Sequence, residues 1–356
     1  MCAVTAERYG ASPLESLRAA EVPRPRAGPG QLVLSVAACS LSPGDGRALL
    51  GEKCAFTGAW GSGPYIPAGD VAGTVVEVGP KVDNSFRVGD RVAATWAEWG
   101  QGGLAEYIAV RASYAARVPD GVDMEQAACL ANSAGHAVAM VQESRIAVVE
   151  RGTRGTSVPP RVLVLGGTGG LGSALLALLK GGGGGDTGGV PAAHVTATGT
   201  DTQLLTHLGA DVALDYRSED WAAHGPYDAV FDCAEGVSGW RRRHGALRRG
   251  GTWVAAVLNA WELLATKWFH LFRILFPPLG RVLASRLPWA PHRYVMHLDG
   301  PNGQALAAVL ALSAAGKLTA LVDSVHPLTV AGAVHAFDIL LSRRAKGKVV
   351  LVAEKA

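Results

Sequence analysis

The apolar run "RVLVL", Arg161 to Leu165, opens directly into "GGTGGLG", Gly166 to Gly172, and a leucine- and alanine-rich run, Ser173 to Lys180, follows at once. Few folds accept that order. A short continuous apolar run reads as a strand buried on both faces, the kind found in parallel sheets covered by helices. Gly167, Gly169 and Gly172 satisfy G-x-G-x-x-G, a pattern that gains meaning from a strand before it and a helix after it. Glycine permits the tight turn and lets backbone approach a pyrophosphate, and the N–H groups at the helix start then face the anion. The candidate cradle comprises Gly167, Thr168, Gly169, Gly170, Leu171 and Gly172. The plainer reading is a glycine-rich β–α turn without a ligand; the flanking strand and helix favour the cradle.

A second cluster, Gly181 to Gly185 with Gly188 and Gly189, follows Lys180. Glycine costs about 1 kcal/mol per residue in a helix interior, so this run stops the helix. No strand leads into it, and it reads as a surface spacer without a phosphate role.

Beyond it the rhythm is strand, helix, strand: "AHVTATG", "TQLLTHLGA", "VALDY", "YDAVFDCA" and "GTWVAAVL". That alternation implies right-handed crossovers and a doubly wound parallel sheet. An NAD-specific sheet places an acid at the end of its second strand. Here Thr198, Gly199 and Thr200 occupy that end, with no acid before Asp201. The hydroxyls leave room for a 2′-phosphate, and Arg217, after Tyr216, is the candidate cation from the next loop. The cofactor expected is NADPH, with Cys233, at the end of "YDAVFDC", placed beside it.

The first third is different. "QLVLSVAACSLSP", "VAGTVVEVG" and "DRVAATWA" alternate between Gly and Pro punctuation and predict a β-rich lobe. "DMEQAACLANSAGHAVAMVQES" predicts a helix, "RGTRGTSVPP" a loop, and the tail two helices and a final strand. The 356 residues suggest two domains. With 49% hydrophobic and 18% charged residues the chain can fill a sizeable core. A net charge of +3 and the lack of an aromatic-basic repeat argue against nucleic acid. The five cysteines are scattered without a C-x-x-C, which fits neither a disulfide framework nor a structural zinc site. The first residues lack the apolar run of a secretory signal and no transit peptide is evident, so the expected location is intracellular, mitochondrial or cytoplasmic.

Several segments together resemble the medium-chain dehydrogenase/reductase superfamily: "EVPRPRAGPGQLVLSVAACSLSPGDGR", "YIPAGDVAGTVVEVGPKVDNSFRVGDRV", "GGLAEYIAV", "VLVLGGTGGLG", "LGADVALDYRSEDW" and "AKGKVVLV". The match is to its zinc-free quinone oxidoreductase branch, and "HRYVMHLDGPNGQALAAVLALSAAGKL" resembles the mitochondrial reticulon-interacting oxidoreductase group within it. The resemblance implies an α/β protein: a GroES-like β-rich catalytic domain over 1–125, completed by 297–356, plus a Rossmann-type doubly wound parallel sheet domain over 126–296 that carries an apolar insert, 258–294. It implies a homodimer or tetramer that passes hydride from NADPH to quinones, enones or related acceptors.

The departures from the family matter. Zinc-dependent relatives carry Gly-His-Glu where this chain has Gly69, Asp70 and Val71, and Cys39 and Asp70 have no accompanying histidine, so no metal is expected. The family's Asn-Pro-x-Asp becomes Ser42-Pro43-Gly44-Asp45; Ser42 is a candidate contact to nicotinamide or substrate, and Asp45 is assigned to the turn. Where relatives have Leu-Thr-Ala this chain has Gly135-His136-Ala137, which makes His136 the first candidate proton donor. Its competing role is packing in an alanine-rich helix, and water is the alternative donor. Tyr65 is a candidate for the cleft lining, with a packed loop aromatic as the plainer role. Lys348 resembles a position near the cofactor, against a solvated lysine before the last strand. The other histidines, His292 and His297 included, show no metal-ligand spacing and read as structural.

The late segment "LNAWELLATKWFHLFRILFPPLGRVLASRLPWAPHRY", Leu258 to Tyr294, is unusually apolar. Asn259, Glu262, Thr266, His270 and Arg273 form a narrow polar stripe on a helix that Pro277-Pro278 is expected to stop. Polar residues at every turn argue against a membrane span. A helix buried against the fold or at an oligomer interface and a helix lying on a membrane surface with a basic rim both fit. The function expected is zinc-independent, NADPH-dependent reduction of a quinone or activated carbonyl or alkene. Enoyl or alkenal reduction, or an interaction protein that binds cofactor with little turnover, are the alternatives.

Overall fold

The computed structural model describes residues 1–8, 10, 12–51, 64–95, 101–146, 149–150, 157–181, 193–257, 270–298, 300 and 302–354. They fall into two compact units, one within Met1–Gly135 and Pro301–Ala356, the other within His136–Leu263 and Phe269–Gly300.

In the first unit, β1 (Gln31–Leu41) is followed by α1 (Pro43–Leu49), β2 (Asp70–Val78), β3 (Arg91–Thr95), β4 (Tyr107–Arg111), β5 (Ala115–Arg117) and the long α2 (Met124–Ser144), which runs on into the second unit. The second unit continues with β6 (Arg161–Leu165), α3 (Gly170–Gly181), β7 (His194–Gly199), α4 (Thr202–His207), β8 (Val212–Asp215), β9 (Tyr227–Asp232), β10 (Leu247–Ala255), α5 (His270–Ala284) and β11 (Arg293–Met296). The chain then returns to the first unit with α6 (Gly303–Ala314), β12 (Val322–Pro327), α7 (Val330–Ser342) and β13 (Lys348–Val352).

The β-rich unit holds a seven-stranded sheet in the order β12-β13-β1-β2-β3-β5, with β4 paired to β1. Alternate residues of its strands, Leu32, Leu34, Val71, Val75, Ile108 and Val110 among them, close on Phe337 of α7. The second unit has six parallel strands in the order β8-β7-β6-β9-β10-β11. Counted from β6, this is the 3-2-1-4-5-6 order of a doubly wound nucleotide-binding sheet. Its switch point lies between β6 and β9, at their carboxyl ends. This is the two-part α/β fold the sequence implies.

Three local expectations change. Ser157–Val158, expected within a loop, pairs with Val149–Glu150. The tail holds an extra strand, β12, whose residues alternate between half-buried and exposed. The helix α5 does not stop at Pro277-Pro278 but passes through both. Each proline removes the hydrogen bond to the carbonyl four residues back, and its ring crowds that carbonyl. Burial of Pro278 and packing of Val282 on the sheet core hold the helix in place beyond them. The glycine cluster at 182–189 and the polar stripe at 259–266 lie outside the described residues.

One buried ion pair ties the first unit together. Lys348 Nζ donates to Asp70 Oδ2 at 2.9 Å, while Thr95 Oγ1 donates to Asp70 Oδ1 at 2.7 Å. Lys348 is 6% exposed and Asp70 1%. The pair joins the first residue of β13 to the first residue of β2, across β1. Removing one partner of such a pair leaves an uncompensated buried charge. Lys348→Met is therefore expected to destabilise this unit by about 3–5 kcal/mol, with much of the loss restored in Lys348→Met/Asp70→Leu. Urea denaturation followed by circular dichroism checks this; an unchanged midpoint for the single variant contradicts it.

Candidate functional site

The glycine cradle forms where the sequence places it. Gly166 ends β6 with φ +80, a left-handed conformation natural to glycine. Gly166 N donates to Thr198 Oγ1 at 3.1 Å, and Gly167 N donates to the Thr198 carbonyl at 2.8 Å. Thr198 is buried and clamps the loop to β7, so its hydroxyl acts on the cradle's backbone. A Cβ on Gly172 would collide with the Gly166 carbonyl, and one on Gly167 would press on Leu205, Ala197 and Leu176. These two glycines let α3 meet the strand end. Gly169 is different: a Cβ there meets only the Gly166 carbonyl, at 3.5 Å, within ordinary contact. The protein leaves this position open on the side where the first amides of α3 point. A nicotinamide dinucleotide fits this cradle: Gly169, Gly170 and Leu171 would hold its pyrophosphate at the helix start.

The wall facing the cradle comes from the end of β9. Ala234 Cβ lies 3.0 Å from where a Gly166 Cβ would stand. Asp232 Oδ1 accepts from Ala234 N at 3.1 Å and Glu235 N at 2.8 Å, fixing this turn. Its Oδ2 is buried without a hydrogen-bond partner. Burial raises Asp232 to about 7, against the lowering effect of the backbone donors. Cys233, beside it, has its thiol driven far above the ordinary value by burial and then by Asp232, so it stays protonated. The residues expected to meet the ribose are arranged unevenly. Asp201 caps α4 by accepting from Leu204 N, Thr200 is exposed, and Tyr216 is 55% exposed. Arg217 is chelated by Asp215, with Nε–Oδ1 at 2.9 Å and Nη2–Oδ2 at 2.5 Å. Hydrogen bonding from Arg217 lowers Asp215 to about 2. The candidate cation for a 2′-phosphate is thus already paired with a carboxylate.

At β11, the other side of the same sheet, lies a group that sequence reasoning only half found. His136 Nδ1 is 2.7 Å from His297 Nε2, and His297 Nδ1 is 2.9 Å from Glu143 Oε2. The two imidazoles meet edge to face, 86° between planes. His136 and Glu143 are seven residues apart on α2 and share one helix face. His297, 7% exposed, follows β11 and is anchored by its N–H to the Ala255 carbonyl at 3.0 Å. Arg293 Nη1 donates to the Glu143 carbonyl at 2.9 Å. Glu143 accepting from His297 Nδ1–H leaves His297 Nε2 as an acceptor, so the shared proton belongs to His136 Nδ1. The i, i+7 spacing was a signal in the sequence; His297 comes from across the fold and had none.

The remaining candidates belong to the first unit. Ser42 Oγ donates to Asp45 Oδ2 at 2.9 Å, and Asp45 also accepts from Ser42 N and Ala68 N. This confirms Asp45 as the organiser of the turn and engages the Ser42 hydroxyl with it. Tyr65 is 9% exposed and packs in the hydrophobic core. Lys348 is neither solvated nor unpaired. Burial draws its ammonium down, but Asp70, helped by Cys129 and Asp45, raises its pKa overall.

The alcohol dehydrogenase GroES-like domain family matches residues 28–120, and the zinc-binding dehydrogenase family matches residues 208–351. The chain belongs to the medium-chain dehydrogenase/reductase superfamily. It is 29% identical over 351 residues to the chloroplast envelope quinone oxidoreductase homolog of Arabidopsis thaliana, covering 96% of this chain and 94% of that one. It is 31% identical to the mitochondrial NAD(P)H oxidoreductase RTN4IP1 of Danio rerio over 53% of this chain and 48% of that one. Its fold matches the quinone oxidoreductase of Coxiella burnetii with a TM-score of 0.77, at 21% identity over 99% of both chains.

The family name raises zinc, and the residues here do not fit it. Asp70 is occupied by Lys348 and Thr95. Burial, then Asp45 and Asp70, push the Cys39 thiol far up, and burial first among its causes raises Cys129 to about 12. Zinc binds thiolates.

Gly169 and Gly172 separate binding from folding. Gly169→Val should lower NADPH affinity at least tenfold, or about 1.4 kcal/mol, with an unchanged melting temperature. Gly172→Ala should lower the melting temperature itself. Cofactor titration by fluorescence and thermal melts check this; equal loss of stability in both contradicts the division.

Proposed function

We propose that this NAD(P)H-dependent oxidoreductase uses NADPH and reduces quinones or activated alkenes without zinc. What supports the reading best is the Glu143–His297–His136 array at the carboxyl edge of the parallel sheet that also carries the cradle. Doubly wound sheets bind ligands outside the carboxyl ends of their strands at the switch point, here between β6 and β9, and the array stands at that same end of the sheet, just past β11. The preference for NADPH rests on β7 ending in Thr198-Gly199-Thr200, with Asp201 turned to cap α4. The absence of zinc from the proposal rests on the Lys348–Asp70 pair. Pairing of two copies along the open edge of β11 belongs to the same proposal.

When bound, NADPH supplies hydride; reduction of a quinone or enone needs one proton besides. His136 is the group assigned to that proton. With Nδ1–H directed at His297, the proton it gives or takes moves at Nε2. Glu143 carries the balancing negative charge through His297, which lets the His136 ring hold a second proton. Delivery of that proton to the reduced acceptor leaves neutral His136, which is recharged from water. The main chain of α2 and the anchor at Ala255 hold both rings in register.

The test is NADPH oxidation with a panel of quinones and enals. His136→Phe should lower kcat on the order of a hundredfold with cofactor affinity retained. His297→Gln should lower kcat less than His136→Phe, again with cofactor affinity retained. NADPH binding without acceptor-dependent oxidation by the wild type would overturn the reading and leave an interaction protein. Activity restricted to enals would make it an alkenal reductase.

A further inference from the structure

The helix α5 is oriented contrary to the usual rule for a surface helix, which turns its apolar side inward. Its inward side carries the buried Pro278, the core-packed Val282, Ser285 and Arg281; Ser285 Oγ donates to the Tyr294 carbonyl and Arg281 Nη1 to the Tyr294 hydroxyl, both at 3.4 Å. Its outward side carries Phe276 at 60% exposed, Leu279 at 44% and Leu283 at 58%. Spacings of three and four put these on one stripe, which Leu287 and Trp289 at 43% and 71% exposed continue past the helix end. Phe272 joins the stripe, its ring 5.2 Å from that of Phe276. Contiguous apolar surface of this kind marks an interaction site.

Charge decides what the site fits. From Gly236 to Leu298 the only acidic residue is Glu262, against ten Lys and Arg residues. Arg286, between Leu283 and Leu287 in the chain, is exposed, as are Arg241 and Arg249. Burial and then Arg281 draw Arg243 below the usual guanidinium value. Arg293 is likewise drawn down by burial, then by Arg145 and, more weakly, by Arg286, with Glu143 opposing. Among the described residues no helix is long and apolar enough to cross a membrane. An exposed apolar stripe bordered by the exposed Arg286, in a segment with almost no acids, matches the interface of an anionic bilayer, where the stripe enters the acyl boundary and Arg286 meets headgroups.

We propose that the α5 face, with Leu287 and Trp289, docks the protein on the surface of a bilayer containing anionic phospholipid. This stands apart from the redox reading and needs no turnover. It would place a reductase at the phase in which apolar acceptors dissolve.

Flotation of the full chain on sucrose gradients tests it, using vesicles of pure phosphatidylcholine or of an equimolar mixture with phosphatidylglycerol. The wild type should float with the anionic vesicles and release at high salt. Phe276→Glu and Leu283→Glu should each reduce partitioning at least about tenfold, since each removes a fully buried apolar side chain from lipid. Arg286→Gln should reduce it about fivefold and weaken the salt effect. Unchanged circular dichroism and NADPH affinity keep the variants interpretable. Failure of the wild type to float, or equal flotation of the Glu variants, overturns the proposal. So does conversion of a dimer to a monomer by Phe276→Glu in light scattering, which would assign the face to a second copy of the chain.

Discussion

A side chain on Gly172 would occupy the space of the Gly166 carbonyl, and a side chain on Gly167 would enter the contacts among Leu205, Ala197 and Leu176. The nucleotide-binding unit therefore depends on two hydrogens in place of two methyl groups. With them, α3 starts within contact of the strand end and its first amides converge on one spot. Thr198 then clamps the turn from β7, and the Asp232 turn closes it from β9. The strand order does the rest: β6 and β9 stay paired to their last residues, but the chain leaves β6 toward β7 and β9 toward β10, and such a reversal opens a crevice beyond the carboxyl ends.

Two charged groups are handled in opposite ways. In the β-rich unit, Lys348 and Asp70 are sealed from water and fix the joining of β13 and β2 around β1. In the second unit, Glu143 retains 30% side-chain exposure while His297 is almost covered. An array open to water at one end can exchange protons; a sealed pair cannot. The first pair ties strands together, and the second array is the proposed source of the proton.

Much of this was legible in the sequence. "RVLVLGGTGGLG" specified the strand, the turn and the helix, because glycine spacing and apolar continuity are local properties. The capping role of Asp45 was legible for the same reason. His136 was singled out by resemblance and shares a helix face with Glu143, but its partner His297 had no local signal, since 161 residues separate them and β11 brings them together. Lys348 read as either solvated or cofactor-proximal; its true neighbour, Asp70, is 278 residues away. Arg217 read as a phosphate cation because the sequence did not show that Asp215 would turn back on it. The prolines of α5 misled because packing of Pro278 and Val282 outweighs the two missing hydrogen bonds.

The cradle between β6 and α3 fits a nicotinamide dinucleotide, and the end of β7 is the proposed basis for preferring its 2′-phosphorylated form. Calorimetric titration of the wild type with NADPH and with NADH measures this directly. The account predicts one cofactor site per chain, with NADPH bound at least tenfold more tightly, a difference of about 1.4 kcal/mol. Equal or tighter binding of NADH, or no binding of either, would contradict it.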